Sequence, residues 1–382
     1  MSDASPQQSA ESTRSEQSRR RDDPPGRRKA VLARTSGNPT IGFVGIHSNG
    51  RPDQPVSQNE TLAELFESAG YRTHRASGFR NRWLRTVHQV LGLLSWRRTN
   101  VVVIATFSGP SFLISEFSVP LARLTGKKSV LFLHGGNLPT FGAANRRRVE
   151  RTLLAADAVF APSAFLAQTF RDWGVDVHVV PNVLRIDRYE FRRRAPLRPR
   201  IMWMRTFHEH YDPLSAVRAL AAIREVRSDA TMTMAGADQG LLDETVAEAR
   251  RLGVADAITF PGYLDLPGKL AAFAEHDVFL NSNLVDNMPV SVLEAGASGL
   301  VVVATAVGGI PALVRDGEDG ILVEAGDHES MARTVLGLLD DPDRAGELSE
   351  GGRAMAERSG WPQVHDRWRS ELELILPNRR VR

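Results

Sequence analysis

The sequence predicts an α/β protein of two domains, each a parallel sheet covered by helices, and three observations lead there. A chain of 382 residues is too long for one ordinary core and suits two. From Ile41 onward, short β-branched runs alternate with helix-length amphipathic segments, the pattern of strands buried between crossover helices. No repeat of fixed short period is visible, which sets solenoids and propellers aside.

In chain order, residues 1–39 are rich in Ser, Gln, Arg, Asp and Pro and cannot bury a core, so a disordered tail is expected. They lack the continuous apolar region of a secretory signal. No later segment offers the roughly 18 apolar residues of a spanning helix. Strands are expected at "IGFVGI", "VVVIAT", "SVLFLH", "AVFA" and "VHVV", within a first domain over 40–182. Ser57 and Glu60 stand in capping-box spacing ahead of a helix that starts near Gln58 and stops at Gly70. "LRIDRYEFRRRAPLRPR" has no clear period and reads as a connection. A second domain over 183–360 follows, with strands at "IMWM", "TMTMAG", "AITFPG", "DVFLNS", "LVVVAT" and "GILVEAG". Residues 361–382 give a closing amphipathic helix and a tail.

Composition narrows the function. Lys and Arg number 48 against 45 Asp and Glu, and a net charge of +3 does not by itself indicate a polyanion partner. With no cysteine, a disulfide framework, a thiolate nucleophile and a Cys-ligated metal are excluded, and a soluble cytoplasmic protein is expected. One segment, "FRNRWLRTVHQVLGLLSWRR", sets Arg80, Arg82, Arg85, Arg97 and Arg98 around Trp83, Trp96 and a leucine run. It reads either as a packed helix with solvated ends or as a peripheral contact with an anionic membrane surface.

The stretch from Asn283 to Gly317 carries the chemistry. Pro289 stands where helices start and Gly299 where they stop, so a helix is expected over Pro289 to Ser298, followed by a strand over Leu300 to Ala304. Pro311 marks a second helix start after Gly308-Gly309. Two helix entrances therefore open beyond the carboxyl ends of neighbouring strands, where their unpaired N–H groups favour a phosphate or diphosphate. The glycine pair would let a ligand approach the main chain. Glu294 lies on the same helix side as Ser291 and can accept hydrogen bonds from a ribose diol, so the combination points to a nucleotide.

This stretch resembles the retaining glycosyltransferases of family 4, of the two-domain GT-B fold. Asp286 and Glu294 have seven positions between them, "LEAGASG" follows, and "ATAVGGIPALVRDGEDGILV" continues the pattern. "LFLHGGNLP", "VHVVPNVL", "IMWMRTFHEHYDP", "ITFPGYLD" and "SGWPQVHDRW" extend the resemblance over roughly Ile41 to Leu376. It implies two Rossmann-like domains facing across a cleft, with the closing helix crossing back to the first.

It also implies transfer of a sugar, with retention, from a nucleoside diphosphate sugar to a glycan, lipid or small-molecule acceptor. Neither a cofactor nor a nucleic-acid partner is expected. Negative charge on the departing diphosphate must be stabilised by cations or aligned N–H groups. No Asp-x-Asp stands between apolar segments to hold a metal, so a metal-independent reaction is expected. Arg205 matches the family's first cationic position and can grip phosphate oxygens bidentately. Five residues on, His210 replaces the family's lysine, and Lys269 is weighed as a substitute cation against a solvated helix lysine. Asp286 replaces a glutamate that contacts the transferred sugar. His134 faces the cleft toward the sugar or acceptor. Donor contacts are expected from Gly45, Gly236, Tyr263, Asn287, Met288, Pro289, Val290, Gly308 and Gly309, with His47 and Gly50 in the loop after the first strand. A non-catalytic nucleotide-sugar binding protein and an NAD-dependent oxidoreductase are the competing readings; the second lacks the Gly-x-Gly-x-x-Gly fingerprint.

Overall fold

The computed structural model describes residues 38–45, 56–76 and 82–376. The amino-terminal tail, His47, Gly50 and Arg80 lie outside the described residues. The first half runs β1 (Ile41–Val44), α1 (Gln58–Ser68), β2 (Thr73–Ala76), α2 (Arg82–Ser95), β3 (Val101–Thr106), α3 (Phe112–Leu124) and β4 (Lys128–Leu133). It continues with α4 (Leu138–Ala144), α5 (Arg146–Ala155), β5 (Ala158–Ala161), α6 (Ala164–Arg171) and β6 (Val177–Val179). Its six strands are parallel in the order β2-β1-β3-β4-β5-β6. β2, "THRA", is missed by sequence reading because it is short and mostly polar, with only Ala76 buried.

The second half holds β7 (Arg200–Met204), α7 (Pro213–Val226), β8 (Thr231–Ala235), α8 (Leu242–Arg251), β9 (Ile258–Gly262), α9 (Leu266–Glu275) and β10 (Val278–Asn281). Then come α10 (Val290–Ala297), β11 (Val301–Thr305), α11 (Ile310–Leu313), β12 (Ile321–Val323), α12 (His328–Asp340), α13 (Pro342–Arg358) and α14 (Trp361–Ile375). The sheet is again parallel, in the order β12-β11-β10-β7-β8-β9. Strands of this kind are buried on both faces. Along β3, Val101 and Val103 pack into one core while Val102 and Ile104 pack into another, which is why it reads as an unbroken apolar run.

Among the described residues, α14 and the paired chain crossings are two of the contacts that join the halves. α14 follows the second half in sequence, yet Val364, Trp368 and Leu372 belong to the core under the first sheet. Trp368 meets Phe66, Phe132 and Phe160 edge-on at 5.1 to 5.9 Å, and burying an indole of this size contributes on the order of 5 kcal/mol. The chain passes between halves near Val183 and again near Ser359, where Leu184 N–H donates to the Ser359 carbonyl at 2.8 Å.

The connection is built around charge. Arg192 and Arg198 each place Nη2 within 2.8 Å of the buried Asp277 carboxylate, and Arg198 N–H also donates to it at 2.8 Å. Burial alone would raise the Asp277 pKa, but these hydrogen bonds hold it at about 2. Arg194 beside them is buried and donates to the Phe273 carbonyl at 2.6 Å.

Candidate functional site

Strand order fixes where a ligand can sit. In the second sheet the order reverses direction between β7 and β10, and ligands of open α/β sheets bind outside the strand carboxyl ends at such a point. The loops leaving those two strands are knitted together. Trp203 Nε1 donates to Ser282 Oγ at 3.0 Å, and that hydroxyl lies 2.8 Å from the carbonyls of both Tyr211 and Asp212. Leu284 and Val285 N–H both donate to the His210 carbonyl, at 2.8 and 3.2 Å.

Loops of the first sheet close the opposite side. Ser108 after β3 and Gly135, Gly136 and Asn137 after β4 face Arg205, His210, Tyr211, Asp286 and the start of α10 across a cavity of about 330 Å³. A Cβ at Gly136 would stand 2.9 Å from Val285 Cγ1, so a bare α-carbon is what lets the two sides approach.

Arg205 is the cation of this cavity. Its guanidinium lies 4.4 Å over the Tyr211 ring and forms an ion pair with Asp286. Asp286 also accepts hydrogen bonds from Asn283 Nδ2 at 2.6 Å and Asn287 N–H at 2.7 Å. Burial pushes the Arg205 pKa down, opposed by Tyr211 and Glu294, and an arginine so held stays charged at neutral pH. Its Nε is buried with no hydrogen-bond partner among the described residues.

Glu294 lies one turn into α10 and is buried. Lys269 Nζ from α9 lies 2.8 and 3.0 Å from its two oxygens, and Tyr189 OH from the connection donates at 2.8 Å. Burial and the neighbouring carboxylate push the Tyr189 phenol up, so it remains a donor. Ser291 Oγ, three residues earlier on the helix, is buried and has no partner among the described residues.

His210 N–H donates to His208 Nδ1 at 3.1 Å, and the two rings stand 4.5 Å apart. Among the described residues, His208, Glu209 and His210 are grouped with ligand-type atoms within 4.8 Å of one another.

Profiles of two families match the chain: "Glycosyl transferases group 1" over residues 198–341 and "Glycosyl transferase 4-like domain" over 30–183. The chain belongs to the group 1 glycosyl transferases. It is 35% identical over 113 residues to D-inositol 3-phosphate glycosyltransferase 2 of Catenulispora acidiphila, covering 30% of this chain and 26% of that protein. It is 33% identical over 188 residues to the D-inositol 3-phosphate glycosyltransferase of Salinispora arenicola, 45% of this chain and 41% of that one. Such matches span well under half of the curated relatives' length. Sucrose-phosphate synthase from Thermosynechococcus elongatus superposes with a TM-score of 0.72 at 17% identity, covering 88% of this chain and all but 1% of that one. Anabaena HepE in complex with UDP superposes at 0.68 and 15% identity, covering 88% and 100%. The fold is the GT-B arrangement of two Rossmann-like domains.

Of the positions singled out in the sequence, Arg205, His210, Asp286, Met288, Pro289 and Val290 line one cavity. Other expected positions lie elsewhere. His134 is buried between Phe107 and Phe132 at 5.2 and 4.4 Å, and burial lowers its pKa to about 4, while the next three residues line the cavity. Asn287 turns its side chain to Ser163 of the first half, and Asn182 Nδ2 donates to the Met288 carbonyl at 3.2 Å. Gly236 backs Arg205, whose carbonyl occupies the place a Cβ would need. Gly45 is buried and accepts from Gln89 Nε2 at 3.2 Å. Tyr263 is half-buried just beyond β9.

At Gly308 and Gly309 the space a Cβ would fill is taken by the carbonyls of Asp286 and Asn287, so on that side the pair packs against protein main chain. Two expectations are corrected. The helix after this pair, α11, is only four residues long, leaving α10 as the substantial helix entrance. Lys269 is neither solvated nor a spare cation; it neutralises Glu294. Sequence reasoning missed Tyr189 and Tyr211 altogether: Tyr189 meets Glu294 from 105 positions away, and the Tyr211 ring meets Arg205 within one irregular loop, where no periodic signal marks it.

Proposed function

We propose that the chain is a retaining, metal-independent glycosyltransferase that moves a sugar from a nucleoside diphosphate sugar to a hydroxyl acceptor. The observation that carries this reading is the convergence of Arg205, with its unused Nε, and the α10 entrance on one cavity at the strand-order reversal. As the bond from sugar to diphosphate breaks, charge grows on the phosphate oxygens. A guanidinium and the positive end of a helix, fixed in place beforehand, stabilise that charge without reorganising. The diphosphate takes the guanidinium from Asp286, and the freed carboxylate accepts hydrogen bonds from sugar hydroxyls.

Glu294, clamped by Lys269 and Tyr189, accepts from the ribose diol, and the clamp fixes its rotamer. His134 is neutral in its aromatic slot, so it adds no charge beside the sugar. The acceptor enters from the first half, past Gly135 to Asn137. Its proton leaves to the departing phosphate on the same face, so no carboxylate nucleophile is required and the anomeric configuration is kept. The relatives named as D-inositol 3-phosphate glycosyltransferases and the neighbour holding UDP make UDP-sugars and phosphorylated polyols the first donor and acceptor to assay.

The test is acceptor-dependent nucleotide release from UDP-, GDP- and ADP-sugars, with the product anomer read by NMR and the rate repeated in chelator. Release is lost in Glu294→Ala and Arg205→Ala. Unchanged turnover in both variants overturns the assignment; an inverted anomer or a chelator-sensitive rate overturns the mechanism.

A further inference from the structure

The first half carries an apolar face that the proposed reaction does not use. Leu93 of α2, Phe112 and Val119 of α3, and Leu153 of α5 all enter the same core. The three helices therefore lie on one side of the first sheet, and their opposite sides look outward together. There, Val87, Leu91 and Leu94 of α2 are exposed, as are Leu113, Phe117 and Leu124 of α3 and Leu154 of α5, with Phe117 at 60% and Leu124 at 82%. Spacings of three, four and seven residues put each set in one stripe along its helix. An open groove of about 420 Å³ runs between α3 and α5, flanked by Arg123 and Arg151.

Single exposed leucines need no explanation, but two parallel stripes on neighbouring helices do. Charge identifies what covers them. α2, α3 and α5 hold two acids between them, and both are paired at home: Glu116 with Arg148 at 2.5 Å and Glu150 with Arg146 at 3.7 Å. Arg97 and Arg98 just after α2, Arg123 of α3, and Arg147 and Arg151 of α5 are exposed, and Arg123 and Arg151 flank the groove itself. A second copy of this chain docked here would set that basic rim against itself.

We infer that this face docks on an anionic lipid bilayer, its apolar stripes entering the acyl boundary while the arginines meet the headgroup phosphates. No helix among the described residues is long and apolar enough to cross a membrane, so the contact is peripheral.

The experiment is flotation of the full-length protein with vesicles of phosphatidylcholine alone or mixed with phosphatidylglycerol. The protein floats with the mixed vesicles, and added salt releases it. Phe117→Asp, Leu124→Ser and the double variant Arg123→Glu/Arg151→Glu each lower the bound fraction at least about tenfold with the melting temperature unchanged. Residues 1–37 are common to every sample, so differences among variants report this face alone. Binding that is absent, indifferent to phosphatidylglycerol, or equal in all variants overturns the inference. So does light scattering that finds a dimer which Phe117→Asp dissolves, or competition by soluble inorganic phosphate that abolishes flotation at constant ionic strength.

Discussion

Arg205 pairs with a carboxylate of its own chain, and under the proposed reaction that pairing limits the affinity for the nucleotide. Asp286→Asn keeps the size of the side chain and an oxygen that can accept from Asn283 Nδ2 or Asn287 N–H, but removes one negative charge from the cavity. Two anions sharing one guanidinium stand about 6 Å apart, which at an effective dielectric of 20 is a repulsion of about 3 kcal/mol. The full term is a hundredfold in the dissociation constant, and salt screening leaves at least about tenfold. Asp286→Asn should therefore bind UDP more tightly than the parent, with the gain shrinking at high salt, while its turnover falls because the sugar loses a charged acceptor. Isothermal titration with UDP at low and high salt, alongside initial rates, measures both. Unchanged or weaker UDP binding would refute the exchange of partners at Arg205.

Tyr189→Phe removes one donor to the Glu294 carboxylate, and a hydrogen bond to a charged group contributes about 1.5–3 kcal/mol. The expected outcome is a KM for donor raised roughly tenfold, with kcat within a few-fold; a loss confined to kcat would contradict a ribose-positioning role. Asp277 titrates at about 2 in the fold against about 3.9 in an unfolded chain. Its contribution is complete above pH ~5 and is lost as pH falls through 2, about 2.5 kcal/mol in all, so urea melts of Asp277→Asn should lack that part of the acid dependence. His134, held down at about 4, is neutral in the fold when an unfolded histidine takes up its proton near pH 6.5. Acidification from pH 6.5 to 4 should cost about 3 kcal/mol at this residue, and His134→Gln should flatten that slope in denaturant titrations.

What the sequence revealed follows from how local each signal is. Parallel strands buried on both faces are continuous apolar runs, so β3, β4 and β11 are legible, whereas β2 with its Thr, His and Arg is not. The start of α10 is readable because proline at a helix entrance is a one-residue effect, and Arg205 and Asp286 follow from motif spacing. Tyr189 donates to Glu294 from 105 positions away, and Lys269 reaches it from another helix. No window on the sequence contains either pair. Gly308 and Gly309 were legible as glycines that need close contact, but only the fold tells whether ligand or main chain comes close.

The adjacent crossings at Leu184 and Gly360 are joined by one backbone hydrogen bond, so the chain leaves and re-enters the first half at one place. Beyond the second crossing, the indole of Trp368 is seated in the core of the first half. A truncation that ends at residue 360 would thus strip the wall from Phe66, Phe132 and Phe160, damaging the lobe more distant in sequence from the cut.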